Sequence, residues 1–259
     1  MLPTKSWKVA LIFAAASTPR AAGMLTAKTF SSKTALSANR LQEYTALRNE
    51  YFALRHGQSQ ANVAKIIASD PYVACFKYGL SPLGKQQAQK AGLDVVQYYV
   101  NQQKMGTSFD GVCLLTSDLL RAKETAQAVA HAIQRHNEND PAVVVSLYND
   151  SIVVDTRLRE RRFGEWDLSS DANYQEVWKD DAIDPTHTHK GVESVEFVMD
   201  RVTGLVCEWD ERLENTMIVC VAHGDVLQIL QTSFHKMDGS KHRTLEHLET
   251  ATLRRLELF

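Results

Sequence analysis

Met217-Ile218-Val219-Cys220-Val221-Ala222 is an uninterrupted apolar run, followed at once by His223-Gly224-Asp225 and then by a second apolar segment, Val226 to Phe234. A short run without alternation reads as a strand covered on both faces, and the longer segment behind it as a helix. Gly111-Val112-Cys113-Leu114-Leu115-Thr116 repeats the pattern. It passes through Ser117-Asp118 into a helix predicted over Leu119 to Gln134, with Leu120, Ala126, Val129 and Ile133 as its buried stripe. Tyr51-Phe52-Ala53-Leu54 is a third run, ending at Arg55. Strands interleaved with helices predict an α/β protein: a three-layer α/β/α sandwich with a mostly parallel central sheet.

Working outward, Ser81-Pro82-Leu83-Gly84 opens another helix, with Ser81 as N-cap and Pro82 in the first helical position. Val143 to Val145 and Ile152 to Val154 are predicted as short extended segments, and Thr252 to Leu258 as a final strand. Residues 164–196 are polar, with aromatics at Trp166, Tyr174 and Trp178, and are expected to form an insertion that covers the site. Those aromatics are expected to serve packing.

The chain has 259 residues, of which 44% are hydrophobic, enough for one domain with a full core over residues 50–259. Its formal charge of −2 argues against a nucleic-acid partner, which needs a net basic face. Cys75, Cys113, Cys207 and Cys220 include no C-x-x-C pair and read as free thiols. Residues 1–42 contain lysines and arginines but no acid, and are rich in Ser, Thr and Ala. This composition predicts an organellar leader, plastid or mitochondrial, outside the fold; a secretory route or a cytoplasmic protein with a disordered tail are the alternatives. Val9 to Ala16 is too short to span a bilayer, so no stable membrane insertion is expected.

In parallel sheets, ligands bind beyond the carboxyl ends of the strands. Arg55-His56-Gly57, Ser117 with Arg121, and His223-Gly224 all fall at such ends. Two arginines can grip phosphate oxygens through bidentate hydrogen bonds. His56 or His223 can attack phosphorus as a neutral imidazole, and the other, protonated, can stabilise the transferring group. Gly57 is expected to let backbone and phosphate approach closely. Glu160, in Leu158-Arg159-Glu160-Arg161, is the candidate proton donor, with Glu165 as its competitor. His187 and His189 form an H-x-H pair without further clustered ligands, so no metal is expected. His131, His136, His235, His242 and His247 read as surface or tail residues, and Lys241-His242-Arg243 as a solvated face able to attract an acidic substrate.

The ordered motifs resemble those of the histidine phosphatase superfamily, the phosphoglycerate mutase-like proteins. They are Arg55-His56-Gly57 with Ser59 and Asn62, Ser81-Pro82-Leu83-Gly84 with Gln87, Ser117 to Ala122 with Glu124-Thr125, Leu158 to Gly164, Gly191 with Glu193-Ser194 and Arg201, and Ala222-His223-Gly224. The resemblance implies a transient phosphohistidine on His56, a pocket of Arg55, Arg121 and His223, and Glu160 as acid, with no metal and no cofactor. It also implies that Gly57, Gln58, Ser59, Asn62 and Gly224 contact the substrate. Gln58 stands where Glu is commoner, and Ala61 where cofactor-dependent mutases carry Trp. Glu165-Trp166-Asp167-Leu168 replaces their Trp-Glu-Gly pattern. A phosphatase acting on a small phosphorylated metabolite, or else on a phosphoprotein, is therefore expected. A mutase and a catalytically silent phospho-ligand binder are the alternatives.

Overall fold

The computed structural model describes residues 38–259. In chain order the elements are β1 (Glu50–Arg55), α1 (Gln60–Ala64), α2 (Pro71–Ala74), α3 (Pro82–Lys104), β2 (Gly111–Thr116), α4 (Leu120–Asn139), β3 (Val153–Val154), α5 (Tyr174–Ile183), α6 (Val195–Arg212), β4 (Thr216–Ala222), α7 (Gly224–Phe234) and β5 (Leu253–Leu256). The sheet runs β3-β2-β4-β1-β5. Its first four strands are parallel, and β5 closes the edge antiparallel to β1.

The missing alternation in the strand sequences has a simple cause. Tyr51, Ala53, Ile218 and Cys220 face one way, into a core shared with α6 and α7. Phe52, Leu54, Val219 and Val221 face the other way, into a core shared with α3 and α4. Both faces are covered, so every position is apolar. A third, small cluster of Ile67, Phe163, Val177 and Val192 lies beneath the inserted α5.

The helices start where their capping residues dictate. Ser81 accepts a hydrogen bond from the Gly84 backbone at the head of α3, with Pro82 in the first turn. Ser194 caps α6 in the same way through Phe197. α4 runs past the predicted Gln134 to Asn139. Val143 to Val145 form no strand; Asn137 on α4 bonds the Val145 backbone in both directions and holds the segment as a loop.

Most of the expected leader lies outside the described residues, but its boundary moves. Asn39 and Leu41 are buried. Asn39 donates to the Ser233 carbonyl, and Arg40 pairs with Asp200 on α6. The packed body therefore includes residues 38–49, upstream of the expected start at residue 50. All four cysteines are free. Among the described residues, no helix is long and apolar enough to cross a membrane.

Candidate active site

The register of the sheet assembles the site. Arg55 pairs with Ala222, and Thr116 with Val221, so β1, β4 and β2 end side by side. The chain keeps this alignment one residue further: the His56 backbone N–H donates to the Ala222 carbonyl, and that of Ser117 to Val221. His56, Ser117 and His223 thus emerge together, and a cavity of about 220 Å³ opens beyond them. Arg55, His56, Ser59, Asn62, Arg121, Glu160 and Gly224 line it.

His56 is 3% exposed. Its Nδ1 is 2.7 Å from the Gly57 carbonyl, and the Arg121 Nε–H donates to its Nε2 over 3.0 Å. The carbonyl requires a proton on Nδ1, so the lone pair sits on Nε2, turned toward the guanidinium. Burial first, then the charges of Arg121 and Arg55, hold its pKa well below the ordinary histidine value. His223 lies behind it, with ring centroids 5.2 Å apart and Nε2 at 2.9 Å from the Ser117 hydroxyl. Burial and Arg121 lower its pKa as well. The guanidiniums around this enclosed ring thus oppose the proton expected on one of the two histidines.

Glu160 is 8% exposed, at the wall of the cavity. Its carboxylate accepts from the Arg161 backbone and, at 3.4 Å, from Val226 in the first turn of α7. Burial and the neighbouring Asp225 push its pKa up, with Arg121 and Arg55 opposing. Glu165 does not line the cavity. Arg201 fixes the Glu160 segment by donating to the carbonyls of Arg157 and Arg159. Asp118, just beyond β2, holds the Arg159 side chain bidentately at 2.8 and 2.6 Å.

Two expected contact residues have structural jobs in the fold. A Cβ at Gly57 would stand 2.4 Å from the Gly84 carbonyl, so the glycine makes room for the start of α3. Gln58 accepts from the Ser81 hydroxyl, while its own backbone is held by Gln87; its side chain is tied to that helix start. Ser59 and Asn62 face the cavity and also form the capping box of α1. At Gly224 a Cβ would come into van der Waals contact with the Arg55 guanidinium at 3.4 Å.

Several site residues escaped the sequence reading. His247 lines the cavity, with Nε2 at 2.8 Å from Arg55, and the Leu248 carbonyl accepts from the same guanidinium. Arg243 also faces the cavity, stacked 3.7 Å above Trp178, not a member of a solvated face. Trp178 stacks in turn on Tyr174, and its indole donates to Asp225. Beneath them Arg161 is fully buried, bidentate to Asp181 at 2.7 Å and 3.2 Å from Asp225. His242, fully buried between Asp181 and Asp225, and His187, bonded to Asp181, complete this group. No local signal marks His242 or His247, whose partners Asp181 and Arg55 come from distant parts of the chain.

The model of the histidine phosphatase superfamily (branch 1) matches residues 51–259. The chain belongs to that superfamily. It is 29% identical over 191 residues to a glucosyl-3-phosphoglycerate phosphatase of Mycolicibacterium vanbaalenii, covering 68% of this chain and 70% of the relative. The solved structure of a mycobacterial glucosyl-3-phosphoglycerate phosphatase complexed with VO3 is 25% identical, with a TM-score of 0.57 over 81% of this chain and 92% of that one. A phosphoserine phosphatase variant from Entamoeba histolytica, solved with phosphoserine, shares the fold at 19% identity and a TM-score of 0.56, covering 80% of this chain and 89% of that one. The superfamily assignment places this chain among the hydrolases of phosphoric monoesters.

Proposed function

We propose that this histidine phosphatase removes phosphate from a small phosphorylated metabolite through a phosphohistidine on His56, without a metal ion. The observation that carries this reading is a set of unmet polar atoms on Arg55, Arg121 and His247, which line the cavity, and on His223, whose ring lies against His56. Arg55 Nε, Arg121 Nη1, His223 Nδ1 and His247 Nδ1 are buried with no hydrogen-bond partner. A buried donor left unpaired costs about 1–3 kcal/mol, and a phosphate dianion would relieve several at once.

In the first step Nε2 of His56 attacks phosphorus, the bond to the ester oxygen breaks, and Glu160 gives its proton to the departing alkoxide. In the second, the Glu160 carboxylate takes a proton from water as its oxygen bonds to phosphorus and the P–N bond breaks. The dianion also reverses the local field, which favours a proton on His223 during transfer. Positive charge comes from Arg55 and Arg121, positioned before the reaction begins.

The small cavity favours a metabolite over a phosphoprotein side chain, and Arg243 offers a second guanidinium at its wall. Rapid quenching with a labelled phosphomonoester tests the mechanism. Acid-labile label on the protein, absent in His56→Ala along with turnover, is the expected result; acid-stable label would overturn it. For the leader we propose organellar targeting, which a reporter fused to residues 1–37 tests by its location.

A further inference from the structure

The end of α5 and the loop after it gather Asp180, His187 and His189, with one ligand atom from each within 4.8 Å of the others. His187 is arranged as a ligand. It is 5% exposed, and its Nε2 lies 2.8 Å from Oδ1 of Asp181, a carboxylate gripped from the other side by Arg161. That carboxylate oxygen requires the proton on Nε2, which leaves the lone pair on Nδ1. The His189 backbone N–H reaches the same Nδ1 over a long 3.4 Å, which agrees with this tautomer and is easily surrendered. A histidine oriented by a carboxylate through its other nitrogen is the usual support of a metal ligand. His189 Nδ1 and Asp180 Oδ2 lie 3.3 Å apart, on side chains 73% and 47% exposed. Zinc ligands at about 2.0–2.1 Å stand roughly 3.4 Å from one another. Closing the cluster thus takes about 1 Å of movement from the two exposed side chains, while the buried one stays fixed.

We propose that Asp180, His187 and His189 bind a divalent transition metal, Zn²⁺ by ligand type, with water completing the coordination. The metal would clip the last turn of α5 to the loop behind it. The same helix presents Tyr174 and Trp178 to the catalytic cavity, yet none of the three ligands lines that cavity.

Calorimetric titration of the chelator-stripped protein with Zn²⁺ alone tests the proposal. The wild type is expected to take up one equivalent that excess Mg²⁺ does not displace, since imidazoles suit zinc and magnesium prefers oxygen. His189→Ala and Asp180→Asn, both at exposed positions, are expected to weaken uptake at least ten-fold while circular dichroism stays unchanged. His235→Ala, a histidine elsewhere, should bind as the wild type does. Absence of zinc uptake, displacement by Mg²⁺, or undiminished affinity in His189→Ala would each overturn the site, the last by locating the metal elsewhere, such as among His56, His223 and His247.

Discussion

Arg201 lays Nε and Nη2 against the two carboxylate oxygens of Glu193, at 2.9 and 3.0 Å. The same guanidinium still reaches the carbonyls of Arg157 and Arg159. Glu193 comes from the loop before α6 and Arg201 from α6 itself, so the pair ties the Glu160 segment to a rigid helix. Arg201→Lys keeps the charge but cannot span all these acceptors. It is expected to lower kcat by about ten- to a hundredfold, as sub-ångström misplacement of an acid does. KM should change little, and steady-state kinetics separate the two.

Glu160→Gln removes the proposed proton donor. Turnover of an alkyl phosphate is expected to fall by about 10²–10⁴, and that of p-nitrophenyl phosphate much less, because its leaving group needs no proton. Equal losses on both substrates would assign Glu160 a purely structural part.

The pH profile follows from the two shifted groups. In the proposed mechanism Glu160 acts in its acid form, and burial raises its pKa, so kcat/KM should fall on the basic side only above the ordinary carboxylate range. His56 must be neutral, and its pKa is depressed, so the acidic fall should come well below 6.5. In Glu160→Gln the basic limb should vanish. Stability moves the other way. A carboxyl with a raised folded pKa contributes stability that is lost as pH rises through that value, so Glu160→Gln should melt higher than wild type at neutral pH.

Asp181 accepts from fully buried Arg161 on both arms and from His187. Asp181→Ala would leave that guanidinium with the Glu193 carbonyl on Nε and, as its one remaining carboxylate, Asp225 at 3.2 Å. A loss of about 3–5 kcal/mol is expected, the usual cost of breaking a buried ion pair. Urea denaturation measures it.

Gly57→Ala drives a methyl group against the Gly84 carbonyl. An overpacked contact costs about 1–3 kcal/mol. Because the strain falls on the residue after His56, kcat should drop along with the melting temperature. Phosphate binding, followed by calorimetry, should suffer less than turnover.

The strands were legible because both faces are buried, which makes their sequences continuously apolar and easy to bound. Helix starts were legible at Ser81-Pro82, where capping chemistry is local. His56, Arg121, Glu160 and His223 could be read because each follows a strand end or lies in an ordered motif. The packing of Gly57 and Gln58 against the start of α3 was not legible, since that helix begins more than twenty residues later in the chain. His242 and His247 looked like tail residues because their partners, Asp181 and Arg55, lie far away in sequence. Val143 to Val145 has strand-like composition, but Asn137 claims its backbone first.

Arg55 lies at the end of the first strand, yet its guanidinium is held by His247 and the Leu248 carbonyl, and the Ala251 backbone bonds Arg55 in turn. A chain ending at residue 242 would already carry the proposed nucleophile, Arg55, Arg121 and the proposed acid. It still lacks the segment that sets one of those arginines in place. Truncation there would leave every group of the proposed reaction present and the Arg55 side of the pocket unfinished.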